Sequence, residues 1–148
     1  MKRPATAACC VVLSIGMLSA CGGGNDEYCS EIKQTKKTIG GIDGSQATSA
    51  DFKKATDSID KIADEAPESV KDDWRRIGKA LGRVLKAVED AGLKVEDLRD
   101  PSTAQDVDPQ KLKKIQAAAQ DMTKVTKSQE KVSKEVKKDC DIDLGSGS

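Results

Sequence analysis

Cysteines carry most of the chemistry that this sequence of 148 residues offers. The chain has five cysteines and no histidine. A cysteine thiol can form a disulfide, hold a metal ion or accept a covalent modification, whereas a serine or cysteine nucleophile usually needs a histidine base. We therefore expect no catalytic site, no metal centre and no cofactor, and we expect that the protein is not an enzyme.

Cys21 stands at the end of an N-terminal leader. Lys2 and Arg3 provide a basic start, residues 5–17 are mainly apolar, and small residues precede the cysteine in Leu18-Ser19-Ala20-Cys21. This layout is typical of a secretory signal peptide. The apolar run is too short for a transmembrane helix, which needs about 20 consecutive apolar residues.

The segment Leu18-Ser19-Ala20-Cys21 resembles the lipobox of bacterial lipoproteins. In that family the cysteine thiol receives a diacylglyceryl group and the leader is removed before it. The resemblance implies a signal peptide at 1–20, lipidated Cys21 as the first mature residue, and an extracytoplasmic location on the cell membrane. Several acyl chains, at about 0.8 kcal/mol per buried methylene, anchor a protein stably without a spanning helix.

The mature chain divides into three parts. Residues 21–25 form a glycine-rich tether, and a flexible linker of about five residues reaches only on the order of 12 Å. We expect one folded domain at 26–140, close to the bilayer, and a flexible tail at 141–148. Without Lys2 and Arg3 the chain has 23 basic and 25 acidic residues, so its net charge of −2 gives no reason to expect nucleic acid as a partner.

Cys29 and Cys140 are the two thiols left once Cys9 and Cys10 leave with the leader and Cys21 carries lipid. Disulfides persist outside the cytoplasm, so we predict that these two cysteines are bonded. The alternatives are a metal pair and a reactive thiol. A closed loop of this size stabilises a fold by up to about 4.7 kcal/mol.

The apolar pattern is helical along the whole domain. It predicts helices from Asp26 to about Thr38, from an N-cap at Ser49 to Ala66, from Pro67 to the region of Gly92, and from Pro109 to about Asp139, with one or two turns in 93–99. The expected core positions recur at helical spacing: Tyr28, Ile32, Thr35, Ile39, Phe52, Ala55, Ile59, Ile62, Ala66, Val70, Trp74, Ile77, Leu81, Val84, Val88, Leu112, Ile115, Ala119, Met122, Val125, Val132 and Val136.

The topology depends on Pro67. If this proline starts a separate helix, four helices in up-down order bring Cys29 and Cys140 to the same end, as a disulfide requires. If it only kinks one long helix, three helices leave the two cysteines at opposite ends. We expect an all-α protein, an antiparallel up-down four-helix bundle closed by an end-to-end disulfide.

One charge pattern suggests a contact surface. Between Pro109 and Asp139 there are nine lysines and four acidic residues. Near an anionic bilayer or envelope polymer, such a helix can bind a polyanion, although a solvated lysine face is the simpler interpretation. The lysines that we predict opposite the apolar side are Lys113, Lys124, Lys127, Lys131, Lys134 and Lys138.

The domain is also similar to a set of small actinobacterial lipoproteins of unassigned function. The similarity lies in Tyr28-Cys29, Ala63-Asp64-Glu65-Ala66-Pro67, Trp74, Ala91-Gly92-Leu93 and Cys140-Asp141-Ile142-Asp143-Leu144. It implies the same anchored helical domain and the same cysteine pairing, and it implies no activity.

These features favour a non-enzymatic envelope lipoprotein that acts as an interaction or binding module. Its partners are expected to be the membrane, through the lipid on Cys21, and an envelope protein or polymer. The alternative is a small helical carrier that holds a hydrophobic ligand between its helices, with room left by Gly78, Gly82 and Ala117-Ala118-Ala119. Close helix packing explains the same small residues equally well.

Overall fold

The computed structural model describes residues 25–40, 46–100, 102–103 and 107–144. Within these ranges the protein is all-helical and contains no strand. The helices are α1 (Asn25–Gly40), α2 (Ser49–Glu65), α3 (Glu68–Asp90), a 3₁₀ helix (Val95–Arg99), α4 (Pro109–Lys124) and α5 (Thr126–Cys140). The leader, Cys21 and residues 145–148 lie outside the described residues.

Pro67 separates two helices, as the sequence predicts. Ala66 and Pro67 both have extended backbone, with ψ of 144° and 145°, so α2 ends before them. The carbonyl of Pro67 then accepts hydrogen bonds from the backbone N–H groups of Val70 and Lys71, both at 2.9 Å. The first N–H groups of a helix have no partner within the helix, so a proline, which lacks a backbone N–H, costs no hydrogen bond at this position. α3 therefore begins at Glu68, directly after Pro67.

Thr48, not Ser49, is the N-cap of α2, which corrects the sequence prediction by one residue. The Thr48 hydroxyl accepts a hydrogen bond from the backbone N–H of Asp51, and the Asp51 carboxylate accepts one from the backbone N–H of Thr48 at 3.0 Å. This reciprocal pair is a capping box. Ser49 instead joins α2 to the 3₁₀ helix, because its hydroxyl accepts a hydrogen bond from the backbone N–H of Val95 at 2.8 Å.

The predicted single C-terminal helix is wrong, because the helix is interrupted at Val125. Val125 has φ −94° and ψ 4°, and its N–H donates to the carbonyl of Met122 at 3.4 Å. The hydroxyl of Thr126 donates to the carbonyl of Thr123 at 2.9 Å. Threonine hydroxyls that bond to preceding carbonyls compete with the helical backbone and bend helices. The interruption divides the segment into α4 and α5.

The core lies around α3, which packs against α2, α4 and α5, while α1 packs against α2 and α5. Most predicted core positions are buried or half-buried, and Ile39 lies outside the residues whose side chains are described. Ala119 is an exception: it is exposed and Ala118 is buried in its place. The buried cluster contains Tyr28, Ile32, Ile59, Ile62, Ala63, Ala66, Val70, Trp74, Ile77, Ala80, Val125, Val132, Val136 and Ile142.

Two left-handed residues end helices and turn the chain. Gly92, with φ +77°, follows α3, and the backbone N–H of Leu93 donates to the carbonyl of Val88 at 3.1 Å, as in a Schellman motif. Asp141, with φ 52°, follows α5. The chain then buries Ile142, so the tail expected from residue 141 onward is in fact packed against the core as far as Leu144.

Candidate functional site

Cys29 and Cys140 form a disulfide, which confirms the predicted pairing. Cys29 lies in the first turns of α1 and Cys140 is the last residue of α5, and their Cα atoms are 5.4 Å apart. The bond closes a sequence separation of 111 residues. It therefore joins the two extremities of the folded domain covalently.

Trp74 and Tyr28 form a buried hydrogen bond beside this disulfide. The indole N–H of Trp74 donates to the hydroxyl of Tyr28 at 2.9 Å, and both side chains belong to the core. Burial raises the pKa of the Tyr28 hydroxyl above its ordinary value of 10.0, although the bond from Trp74 opposes this. Trp74 is thus a core residue, as predicted, with its polar atom satisfied.

A polar network joins α3 to α5. The carboxylate of Asp73 accepts hydrogen bonds from the Ser128 hydroxyl and from the Lys131 amine, both at 2.8 Å. Lys131 also donates to the carbonyl of Ser69, and the Ser69 hydroxyl donates to Glu135 at 3.2 Å. The bond from Lys131 is the main cause that lowers the pKa of Asp73, against the opposing effect of burial.

The ion pairs of this region share an orientation. Asp73 is almost covered, with a side-chain exposure of 11 %, while Lys131 and Arg76 beside it extend into solvent. In the same way the Asp121 carboxylate is covered by Lys124 and Arg83, which are well exposed. In these two clusters the carboxylate is recessed and the cations point outward.

The six predicted lysines lie along α4 and α5, and all of them are exposed. Lys124, Lys131 and Lys138 take part in ion pairs, with Asp121, with Asp73, and with Glu135 and Asp139. Lys131 does not lie wholly opposite the apolar side, because it reaches across to α3. The sequence could have indicated this network, since Ser128 is a polar residue in the apolar row of Val125 and Val132.

Two open clefts lie on the surface, one beside the second half of α5 and one between the end of α3 and the start of α4. One, of about 380 Å³, is lined by Ser133, Lys134, Lys137, Lys138 and Asp143. The other, of about 560 Å³, is lined by Ala91, Gly92, Leu93, Ser102, Thr103, Val107, Asp108 and Lys111.

The small residues named for the carrier alternative lie elsewhere. A Cβ added to Gly78 would be 3.1 Å from Ile59 Cγ2, so Gly78 serves close packing of α2 against α3. Ala117 and Ala119 are exposed. Gly78, Ala117 and Ala119 therefore line no space between the helices, whereas a Cβ added to Gly82 would meet only Thr56 Cγ2, at 3.9 Å.

The described residues contain neither a cluster of metal ligands nor a membrane-spanning helix. Within them, no group of three or more cysteine or acidic side chains is arranged to hold a metal ion. None of the helices in the described ranges is both long and apolar enough to cross a bilayer. Cys21, the predicted lipidation site, lies outside these ranges.

Comparison with known proteins adds no relative: no protein-family model, curated protein or solved structure matches the chain. The lipobox and the similarity to small lipoproteins therefore stay predictions from the sequence.

Proposed function

We propose that this protein is a membrane-anchored extracytoplasmic lipoprotein that acts as a non-enzymatic interaction module of the cell envelope. The observation that carries the proposal is the disulfide between Cys29 and Cys140. Disulfides of this structural kind are rare in the cytosol and persist in oxidising compartments. The bond therefore supports export, which the leader and Leu18-Ser19-Ala20-Cys21 predict independently.

The proposed architecture is an up-down-up-down bundle in which α4 and α5 together act as the fourth, bent helix. Pairwise contacts support it. Gly78 of α3 packs near Ile59 of α2, while Arg75, one turn earlier, lies near Asp64. α3 is also antiparallel to α4 and α5. Its early residue Ser69 contacts Glu135 near the end of α5, and its later residue Arg83 contacts Asp121 in α4.

The anchor and the disulfide act at the same end of this bundle. A chain spans at most about 3.6 Å per residue, so Asn25, four residues after Cys21, stays within roughly 14 Å of a lipidated thiol's backbone. Cys29 follows in the first turns of α1 and holds the end of α5 beside it. The module thus presents the sides of its helices to partners near the bilayer.

Fractionation of cells that produce the protein tests the anchor. The unaltered chain is expected in the membrane fraction and to incorporate radiolabelled palmitate, whereas a Cys21→Ala variant incorporates none. A Cys29→Ala and Cys140→Ala double variant is the matched control, because it removes thiols without removing the predicted lipid site. Equal labelling of the unaltered chain and the Cys21→Ala variant would overturn the proposal.

A further inference from the structure

We infer that the side of the bundle formed by α3, the end of α4 and α5 binds the anionic phospholipid surface of the membrane to which the protein is anchored. This basic face comprises Arg76, Arg83, Lys124, Lys127, Lys131, Lys134 and Lys138. The inference rests on the proposed function for the nearness of the bilayer. It names the partner that this face recognises.

The ion pairs of the basic face hold their cations outward. Lys131 has a side-chain exposure of 57 % above an Asp73 that is 11 % exposed. Lys138 is likewise exposed above the mostly covered carboxylates of Glu135 and Asp139. Since a charge acts more strongly on an outside surface the nearer it lies to that surface, the outward cations give the face a positive charge although recessed carboxylates lie beneath them.

The first turns of α3 have the opposite arrangement. There Glu68 is 91 % exposed and its partner Lys71 only 22 %. Asp64 and Asp72 are likewise more exposed than Arg75, which pairs with both. The outward charge is therefore negative in the first turns of α3 and positive along the end of α4 and α5, so a chain with almost no net charge acquires a basic region.

The lysines of α5 are regularly spaced along the helix. Lys127, Lys131, Lys134 and Lys138 recur at intervals of four, three and four residues, which places them on one side of the helix. Glu130 is the only exposed carboxylate within α5. A row of this kind is long enough for several lipid headgroups, because α5 spans about 22 Å at 1.5 Å per residue.

The disulfide favours a bilayer over a soluble polymer as the partner, because it fixes one end of the basic row near the proposed anchor. It holds Cys140, two residues beyond Lys138, beside the first turns of α1. The end of the basic row is thus the part of α5 nearest to the proposed anchor. Each basic residue near an anionic membrane surface strengthens binding roughly fivefold.

The experiment uses the purified lipoprotein in vesicles of phosphatidylglycerol or of phosphatidylcholine. An amine-reactive reagent labels the lysines, and mass spectrometry measures the rate at each position. We expect phosphatidylglycerol to slow the labelling of Lys127 and Lys134 several-fold, and salt at about 1 M, where the Debye length is about 3 Å, to restore it. Lys53 and Lys61 of α2, also exposed, are the internal controls and are expected to react equally in both vesicles.

A charge-reversal pair tests the same face. The variant with Lys127→Glu and Lys134→Glu is expected to lose the protection of the remaining lysines of α5 in phosphatidylglycerol, and the matched variant with Lys53→Glu and Lys61→Glu to keep it. These are exposed positions, so both variants are expected to fold, and circular dichroism checks this.

The outcomes separate the anchor from the basic face. Association with both vesicles and equal labelling in both would overturn the face and leave the anchor. Association with phosphatidylglycerol alone, reversed by salt, would support the face and contradict the anchor. Association with neither would overturn both. Protection of Lys53 and Lys61 in place of the lysines of α5 would overturn the face.

Discussion

The indole N–H of Trp74 donates a 2.9 Å hydrogen bond to the hydroxyl of Tyr28, the residue that immediately precedes Cys29. The bond links α3 to α1 at the point where the disulfide links α1 to α5. Three helices are therefore joined at one end, by one covalent and one polar contact inside the core. In a protein with three aromatic residues, two of them are used here.

Tyr28→Phe is expected to destabilise the protein, because the buried indole N–H of Trp74 loses its acceptor. The expected loss in the free energy of unfolding is about 1–3 kcal/mol. Urea unfolding followed by circular dichroism measures it, and a double-mutant cycle with Trp74→Phe isolates the coupling between the two side chains. An unchanged urea midpoint for Tyr28→Phe would show that the hydrogen bond contributes nothing to stability.

Removal of the disulfide is expected to have a larger effect. The Cys29→Ser and Cys140→Ser double variant, or reduction of the unaltered protein, should lower the free energy of unfolding by up to about 4.7 kcal/mol, since the closed loop is long. The urea midpoint with and without reductant measures this. The double variant must show no further change on reduction, and a midpoint of the unaltered protein that is insensitive to reductant would contradict the structural role.

Asp73 should make the protein less stable in acid. Its folded-state pKa is lowered, chiefly by Lys131, so the carboxylate stabilises the fold above its ordinary value of 3.8, and this stability is lost as the pH falls through the folded pKa. Asp73→Asn is expected to be less stable at pH 7, and the difference should shrink towards pH 2. Unfolding at a series of pH values measures it, and a difference that does not vary with pH would refute this role.

Gly78 and Gly82 offer a matched pair in α3. Alanine in place of glycine stabilises a helix by about 1 kcal/mol. At Gly82 the new Cβ meets Thr56 Cγ2 at an ordinary 3.9 Å, so Gly82→Ala should be stabilising. At Gly78 it lies 3.1 Å from Ile59 and 3.2 Å from Asp60, so Gly78→Ala should lose this gain or become destabilising. Equal stabilisation by both substitutions, measured by thermal unfolding, would mean that α2 moves freely away from α3.

The helices and the disulfide could be predicted because each has a local signal. Apolar residues at helical spacing identify the buried sides of the helices. The residue before a proline prefers an extended backbone, so Pro67 predicts that α2 ends before Ala66. The interruption at Val125 has a weaker signal, the flanking Thr123 and Thr126, whose hydroxyls bond to preceding carbonyls. Thr56 makes the same kind of bond within α2 without interrupting it.

The basic face could be predicted only in part. Periodicity shows which lysines share a side of α5, but not that Asp73 of α3 lies beneath Lys131, because that contact joins residues 58 apart in the sequence. Arg76 and Arg83 were missed for the same reason: their part in the face depends on how α3 packs against α4 and α5. Whether a charge is recessed or outward is a property of tertiary packing.

The most direct test of the proposed lipoprotein is the intact mass of the protein extracted from membranes, measured after alkylation with and without prior reduction. The account predicts a chain that begins at Cys21 and carries acyl groups, takes up no alkylating reagent before reduction, and takes up two equivalents after it. A mass that retains residues 1–20, or two thiols that react without reduction, would contradict it.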